Sequence, residues 1–406
     1  MNHRKTNIIL TLLLMFTLSS CADYSEHTYT STRPETEAVS IETRDNDMGN
    51  SLPEQSSFFG VFNERAVRIG DILYFSQYGA KDTPMIFAVD LKTMDTFPLC
   101  SKPECEHNSQ TCSAFAGASG APVSLTASEE RLYYLDSSYS DAKLYRMEPD
   151  GSDRTEILVL QNKYEVGGNG YSLFAIHDDI IYRCCYRQTV EGAAVNNRIV
   201  LYRQAFDQDS PPAEMIQLHD MCDPLVAIDG QHLYLAAFKE NRDEPTEMCL
   251  YEFDLNRDTK NELYSGNVSA KPLSLSVVNN QLLFGYGFST FEFSLKDHQL
   301  KELPSASDDP DDCAFIGENT ILTITSYTEC CCIDYAGHVL YEGSMLPPGL
   351  ENSEYGKEYV GCADDVYYFL LNGFDDPAEY GFLAFDANTF TSKILFSVSF
   401  PEGMGT

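Results

Sequence analysis

The chain has 406 residues, with 27 Lys and Arg against 62 Asp and Glu for a formal charge of −35, together with 13 Cys and no Trp. So acidic a surface repels phosphate backbones and anionic headgroups, and no run of Lys or Arg offsets it locally, which excludes nucleic acid as a partner.

The N-terminus places Arg4 and Lys5 before an apolar run from Ile8 to Leu18 that is too short to span a hydrocarbon core and has the layout of a secretory signal. It ends in Leu18-Ser-Ser-Cys21, which resembles the lipobox of bacterial lipoproteins. That resemblance makes residues 1–20 a signal peptide and Cys21 the acceptor of a diacylglyceryl group; an ordinary signal peptide with a chance Cys is the alternative. No later segment reaches 18 uninterrupted apolar residues, so the expected attachment is to the outer face of the cytoplasmic membrane through lipid alone. Removing residues 1–20 also removes Arg4 and Lys5, leaving 25 cations against the 62 anions. Residues 21–57 are acidic and rich in Ser and Thr, with Pro34 and Pro53 opposing helix. They read as a solvated, disordered tether.

From residue 58 to 406 one pattern recurs: an acidic or amide turn, then an aliphatic residue, then usually aromatics. The copies are Asp71-Ile-Leu-Tyr-Phe75, Glu130-Arg-Leu-Tyr-Tyr134, Asp178-Asp-Ile-Ile-Tyr182, Gln231-His-Leu-Tyr-Leu235, Asn280-Gln-Leu-Leu-Phe284, Asn319-Thr-Ile-Leu-Thr323 and Asp364-Asp-Val-Tyr-Tyr368. Anchored on their aliphatic third positions, 73, 132, 180, 233, 282, 321 and 366, they repeat about every 49 residues, within the range of propeller blades. Each unit parses into two hairpins. In the fourth, Pro224–Ile228 and His232–Phe238 flank the turn at Asp229-Gly230, a polar stretch 239–246 follows, and Met248–Leu255 and the segment near Asn261–Tyr264 close the blade. Aromatic and β-branched residues dominate and no window keeps a 3.6-residue period, so the chain is all-β.

A β-propeller of four-stranded antiparallel blades accounts for that period, whereas sandwiches and parallel β-helices do not. Seven blades is the count, with six or eight as the neighbouring counts. The sixth copy is the weakest, and Phe58–Phe62 is placed to add an edge strand to the last blade. Asp150, Ser152 and Asp153 offer oxygens to calcium but are also what a hairpin turn needs.

One motif stands outside the repeat. Cys100-Ser-Lys-Pro-Glu-Cys105-Glu-His107-Asn-Ser-Gln-Thr-Cys112 falls in the longest interval, between Leu73 and Leu132. Three thiolates and an imidazole are the donor set of a closed tetrahedral zinc site, with Pro103 stiffening the first turn. Disulfides are the competing reading, local or with a distant partner such as Cys222 or Cys362 taking the third thiol, and free thiols are the third. Adjacent Cys184-Cys185 and the run Cys330-Cys331-Cys332 fit no disulfide framework, because neighbours on a strand point to opposite faces.

Together the lipobox, the aromatic repeats and the Cys100–Cys112 segment look like the cell-surface propeller lipoproteins of Gram-positive bacteria. The resemblance implies fold and extracellular location and transfers no catalytic residue.

Loops on one face of a propeller are where recognition is expected, and the Cys100–Cys112 insertion is expected among them, with Tyr78, Tyr139, Phe288 and Tyr380 as candidate sugar-stacking rings. The function read from this is a binding or interaction module for a ligand, a glycan or an envelope protein. The alternatives are a hydrolase or lyase on the same fold and an architectural platform in an envelope complex. The enzyme reading is the weaker one. Neither Gly-x-Ser-x-Gly nor His-Glu-x-x-His occurs, and His177, His232 and His298 lie in or beside hairpin turns, where exposure is the expectation.

Overall fold

Two-residue turns set the register of the molecule. Glu129-Glu130, Asp178-Asp179, Asn279-Asn280 and Asp364-Asp365 all have positive φ at both residues, the signature of the type I′ hairpin whose twist matches that of the flanking strands. Each joins the first two strands of a blade. The computed structural model describes residues 65–78, 84–102, 105, 107, 111–116, 123–137, 141–161, 172–191, 194–207, 209–241, 244–285, 289–307, 312–326, 328–347, 350, 355–373 and 379–399. The signal at 1–20, the lipid acceptor Cys21, the tether at 21–57 and the edge strand expected at 58–62 lie outside the described residues.

The described residues form seven four-stranded antiparallel sheets and no helix. Blade 1 is β1 (Ala66–Ile69), β2 (Ile72–Tyr78), β3 (Pro84–Asp90) and β4 (Thr96–Pro98). Blade 2 is β5 (Ser124–Ser128), β6 (Arg131–Ser137), β7 (Asp141–Met147) and β8 (Thr155–Gln161). Blade 3 is β9 (Ser172–His177), β10 (Ile180–Glu191), β11 (Ala194–Ala205) and β12 (Ala213–His219). Blade 4 is β13 (Cys222–Asp229), β14 (His232–Asn241), β15 (Glu244–Asp254) and β16 (Thr259–Val268). Blade 5 is β17 (Ser274–Val278), β18 (Gln281–Gly285), β19 (Phe291–Ser294) and β20 (Leu300–Glu302). Blade 6 is β21 (Cys313–Ile316), β22 (Thr320–Ile324), β23 (Glu329–Asp334) and β24 (Val339–Ser344). Blade 7 is β25 (Tyr355–Ala363), β26 (Val366–Gly373), β27 (Glu379–Asp386) and β28 (Thr391–Ser399).

First strands of successive blades meet, β1 with β5, β5 with β9, β9 with β13 and β13 with β17, so strand 1 is innermost and strand 4 forms the rim. Apolar clusters fill the spaces between neighbouring blades, as a ring of sheets requires.

Seven blades is therefore the observed architecture, with the anchor register corrected in two of them. Because the two Asp residues of blades 3 and 7 are the whole turn, the buried anchor there is Ile181 and Tyr367, not Ile180 and Val366. With that shift the seven anchors, Leu73, Leu132, Ile181, Leu233, Leu282, Ile321 and Tyr367, are each at most 1% exposed.

In the stretch 239–246, expected as a polar loop, the described residues 239–241 and 244–246 are instead strand. β14 and β15 continue through Lys239 opposite Glu247 and Asn241 opposite Glu244. Opposite charges across an antiparallel pair favour that extension. In blade 3 the described residues 189–191 and 194–197 are likewise strand, with Val190 opposite Val195.

Ring closure uses side chains. All four strands of blade 7 come from residues 355–399, and the Phe75 ring of blade 1 stacks on Phe382 of blade 7 at 4.1 Å and 2°. Arg68 pairs with Asp364 at 2.9 Å and Arg65 with Glu358 at 3.2 Å across the same seam. The stacked pair contributes about 0.5–1.5 kcal/mol beyond its buried area, and the partly exposed ion pairs at most about 1 kcal/mol each.

Candidate metal centre

The outer strand of blade 1 begins as β4 along β3, and the Leu99 amide donates to the Ile86 carbonyl at 2.9 Å. The chain then leaves the sheet at Cys100 and returns after Cys112. The Ile86 amide donates to the Ala114 carbonyl at 2.8 Å, the Ala116 amide to the Pro84 carbonyl at 3.1 Å, and Phe115 bridges Met85. The insertion is thus an excursion within the rim strand of blade 1. Residues 114–116 resume the pairing at the end of β3 where Pro84 faces Tyr78, so the excursion leaves the rim strand at the end of the blade where β2 and β3 are joined.

Within the excursion Cys100, Cys105, His107 and Cys112 offer four donor atoms that all lie within 4.8 Å of one another. His107 Nδ1 is 3.3 Å from Cys112 Sγ, and His107 itself adopts a left-handed φ of 53°. The Cys105 amide donates to the Lys102 carbonyl, and Lys102 Nζ donates to the Thr111 carbonyl at 2.7 Å, tying the two ends of the loop. Cys112 is fully buried, whereas the other three donors are partly exposed.

The thiols of the set are not equivalent. Burial pushes the Cys100 thiol up, but hydrogen bonds from the Ser113 hydroxyl, the Lys102 amide, the Cys112 thiol and the Ser113 amide outweigh it and hold the group at about 6. Burial pushes the Cys112 thiol up to about 12 against the Ala114 amide, with contacts to Cys105 and Cys100 adding to the rise. The N–H and O–H groups around Cys100 are thus placed to favour its ionised form over that of Cys112. Such donors to sulfur orient first ligands and stabilise their negative charge when a cation binds. Zn–S and Zn–N bonds of about 2.3 and 2.0 Å set tetrahedral ligand atoms roughly 3.5–3.8 Å apart, so the pairs nearest the 4.8 Å limit would close by up to about an ångström while His107 and Cys112, at 3.3 Å, are already that near.

The two distant disulfide partners do not reach the set. Cys222 lies on inner strand β13 of blade 4, and Cys362 lies on inner strand β25, fully buried between blades 6 and 7. All twelve described cysteines are free thiols. Cys184 and Cys185 face opposite sides of β10, in separate apolar clusters.

Other candidates sort as follows. The Asp150 carboxylate accepts from the Ser152 amide at 2.8 Å, and the Glu148 amide donates to the Ser152 carbonyl, so these residues build a hairpin turn. His177 is buried, against expectation, with Nε2 at 3.5 Å from Asp178. His232 lies 3.1 Å from Glu252, and His298 is exposed. Tyr139 and Phe288 lie outside the described residues. Ser113, whose hydroxyl and amide serve Cys100, carried no signal in the sequence.

No protein-family model matches the chain, and no curated protein matches it. Solved structures do. A puromycin hydrolase aligns over 85% of this chain and 54% of its own at 12% identity and a TM-score of 0.50. A prolyl endopeptidase aligns over 86% and 49% at 14% identity and 0.49, and a chain of a nidogen–laminin complex over 68% and 94% at 13% and 0.41. The chain spans about half the length of the first two. Likeness at these identities concerns the fold alone.

Proposed function

We propose that this chain is a recognition module: a seven-bladed ring held at the outer face of the cytoplasmic membrane by lipid on Cys21, its rim fastened at blade 1 by a structural zinc ion, and engaging an extracellular ligand, glycan or envelope protein. One observation carries the reading. Among the described residues, a single group of three or more Cys, His, Asp or Glu side chains converges closely enough to hold a metal, and it offers the four donors that a closed tetrahedral zinc site takes. Four protein ligands leave no position for water or substrate, so such a centre supports structure and not turnover.

In this role the zinc joins residues on both arms of the excursion. Cys100 leaves the sheet edge and Cys112 precedes its return, so one ion holds the two arms where strand pairing with β3 resumes. The metal would exchange with the thiol protons of the set, making its binding pH-dependent.

The test is metabolic labelling with an alkyne fatty acid, followed by fractionation and surface proteolysis of intact cells. The wild-type chain is expected in the membrane fraction, labelled and cleavable from outside, and Cys21→Ser unlabelled and released. An unlabelled wild-type chain, or a variant still labelled and retained, contradicts the anchor.

A further inference from the structure

Two rim strands use the same four-residue device. In β16 Tyr264-Ser-Gly-Asn267 and in β24 Tyr341-Glu-Gly-Ser344, the tyrosine ring lies back over its glycine. A Cβ on Gly266 would sit 2.7 Å from the Tyr264 hydroxyl, and one on Gly343 2.8 Å from that of Tyr341. Each hydroxyl donates to the carbonyl three residues on, at 3.2 Å to Asn267 and 2.9 Å to Ser344. Each ring also meets a phenylalanine of the next blade's third strand, Phe293 at 6.2 Å and Phe385 at 5.8 Å.

The two seams then diverge. Between blades 6 and 7 the left-handed residue of the next hairpin turn is Phe390, and its ring covers Tyr341 at 5.2 Å and 6°. Between blades 4 and 5 the corresponding left-handed residue is His298, which stacks on Phe293 at 6.1 Å. Tyr264 stands two residues further from its own turn than Tyr341 does, a displacement of about 7 Å along the strand. Among the described residues blade 5 meets it only edge-on through Phe293, and no ring stacks on it as Phe390 does on Tyr341; β20 has 3 residues against 9 in β28.

What is left is an open groove of about 370 Å³, lined by Tyr264, Asn267, Ser269, His298, Gln299 and Glu302 among others. Its size falls in the range of small-ligand sites, about 300–1,000 Å³. Ser269 Oγ donates to Glu302 Oε1 at 2.6 Å and accepts from the Ser289 hydroxyl at 3.1 Å, which orients the carboxylate and leaves its second oxygen to accept from a ligand.

We propose that this groove binds a saccharide, with the Tyr264 ring as the platform for a pyranose face and the amides of Asn267 and Gln299, the His298 imidazole and the Glu302 carboxylate as hydroxyl partners. A ring already pinned at its hydroxyl loses little freedom on binding. The chain's formal charge of −35 favours a neutral or N-acetylated sugar over a uronate or a sugar phosphate. The inference rests on the recognition-module reading and names its ligand class.

The experiment uses the full-length protein in a detergent without a sugar headgroup, probed by saturation-transfer NMR and thermal shift with N-acetylglucosamine, its β-1,4-linked tetramer, lactose and glucuronate. Saturable binding of at least one neutral sugar is expected, with glucuronate weaker. His298→Phe keeps the ring volume and its stacking but removes the polar edge, and Asn267→Trp fills the groove from an exposed position; each is expected to weaken binding at least tenfold without lowering Tm. Failure of all three neutral probes overturns the saccharide assignment. Equal binding by wild type and both variants overturns the groove but leaves a recognition module that uses another face.

Discussion

Replacing Asp365 with Ala tests how neighbouring blades are held together. Asp365 is 3% exposed and accepts three hydrogen bonds from the first turn of blade 6: the Asn319 amide at 2.9 Å, Asn319 Nδ2 at 2.8 Å and the Thr320 hydroxyl at 2.9 Å. The same turn is gripped by the Tyr367 hydroxyl on the Thr320 carbonyl and the Tyr335 hydroxyl on the Gly317 carbonyl. Hydrogen bonds to a charged group contribute about 1.5–3 kcal/mol each. Asn319 is exposed, so its two donors recover water, and the Thr320 hydroxyl retains Tyr367 at 2.9 Å. The net loss expected is about 3 kcal/mol. An unfolding entropy of about 2.1 cal/mol/K per residue over roughly 340 residues converts that to a Tm drop of about 4 °C. The neighbouring Asp364 is an internal control, since its pair with Arg68 is exposed and worth under about 1 kcal/mol. In differential scanning calorimetry Asp365→Ala should fall by about 4 °C and Asp364→Ala by less than about 1.5 °C. A drop below 1 °C for Asp365→Ala, or equal drops for the two, refutes the reasoning.

Gly151→Ala should destabilise by several kcal/mol in the same assay, because φ is +81° and the new Cβ would lie 2.6 Å from the Leu99 carbonyl oxygen, a backbone atom that cannot swing away. Stability should also fall above pH 9. Burial raises the thiols of Cys184, Cys249, Cys313, Cys330, Cys331, Cys332 and Cys362 above their ordinary 9.0. In the unfolded chain they ionise near 9.0 while the native state keeps their protons, so the native state binds more protons and stability drops as pH rises. The loss is up to roughly 0.8 kcal/mol per thiol between pH 8 and 9.5, read from urea midpoints at the two values. Unchanged midpoints contradict burial of these thiols. Adding a strong chelator, or making Cys112→Ser, should speed amide exchange at Ile86 and Ala116, which donate to Ala114 and Pro84 across the rim, by at least tenfold. Uniform protection would mean that the excursion is held without metal.

The period was legible because a blade makes the same demand seven times, and the turn residues Asp, Asn and Glu mark each first hairpin. Its register was misread in blades 3 and 7, where Asp178-Asp179 and Asp364-Asp365 occupy both turn positions and the count began one residue early. The polar stretch at 239–246 read as a loop because charge was taken for exposure, yet Lys239 and Glu247 face each other across two strands. Cys100, Cys105, His107 and Cys112 stood out because they broke the repeat. That they hang from the rim strand was hidden, since the strand resumes at residues 114–116 with no distinctive pattern. The groove beside Tyr264 depends on what the next blade withholds, and no local pattern records that. The Tyr-x-Gly spacing shared by β16 and β24 was present in the sequence as a weak signal.

The central claim is a three-sulfur, one-nitrogen metal centre at the rim of blade 1. The direct measurement is zinc content and X-ray absorption of the full chain purified anaerobically, with thiol alkylation and mass analysis of the same sample. The account predicts one zinc per chain with three sulfur neighbours near 2.3 Å and one nitrogen near 2.0 Å, and alkylation of Cys100, Cys105 and Cys112 only after metal removal. A chain without metal whose Cys100, Cys105 or Cys112 is blocked in a disulfide contradicts it.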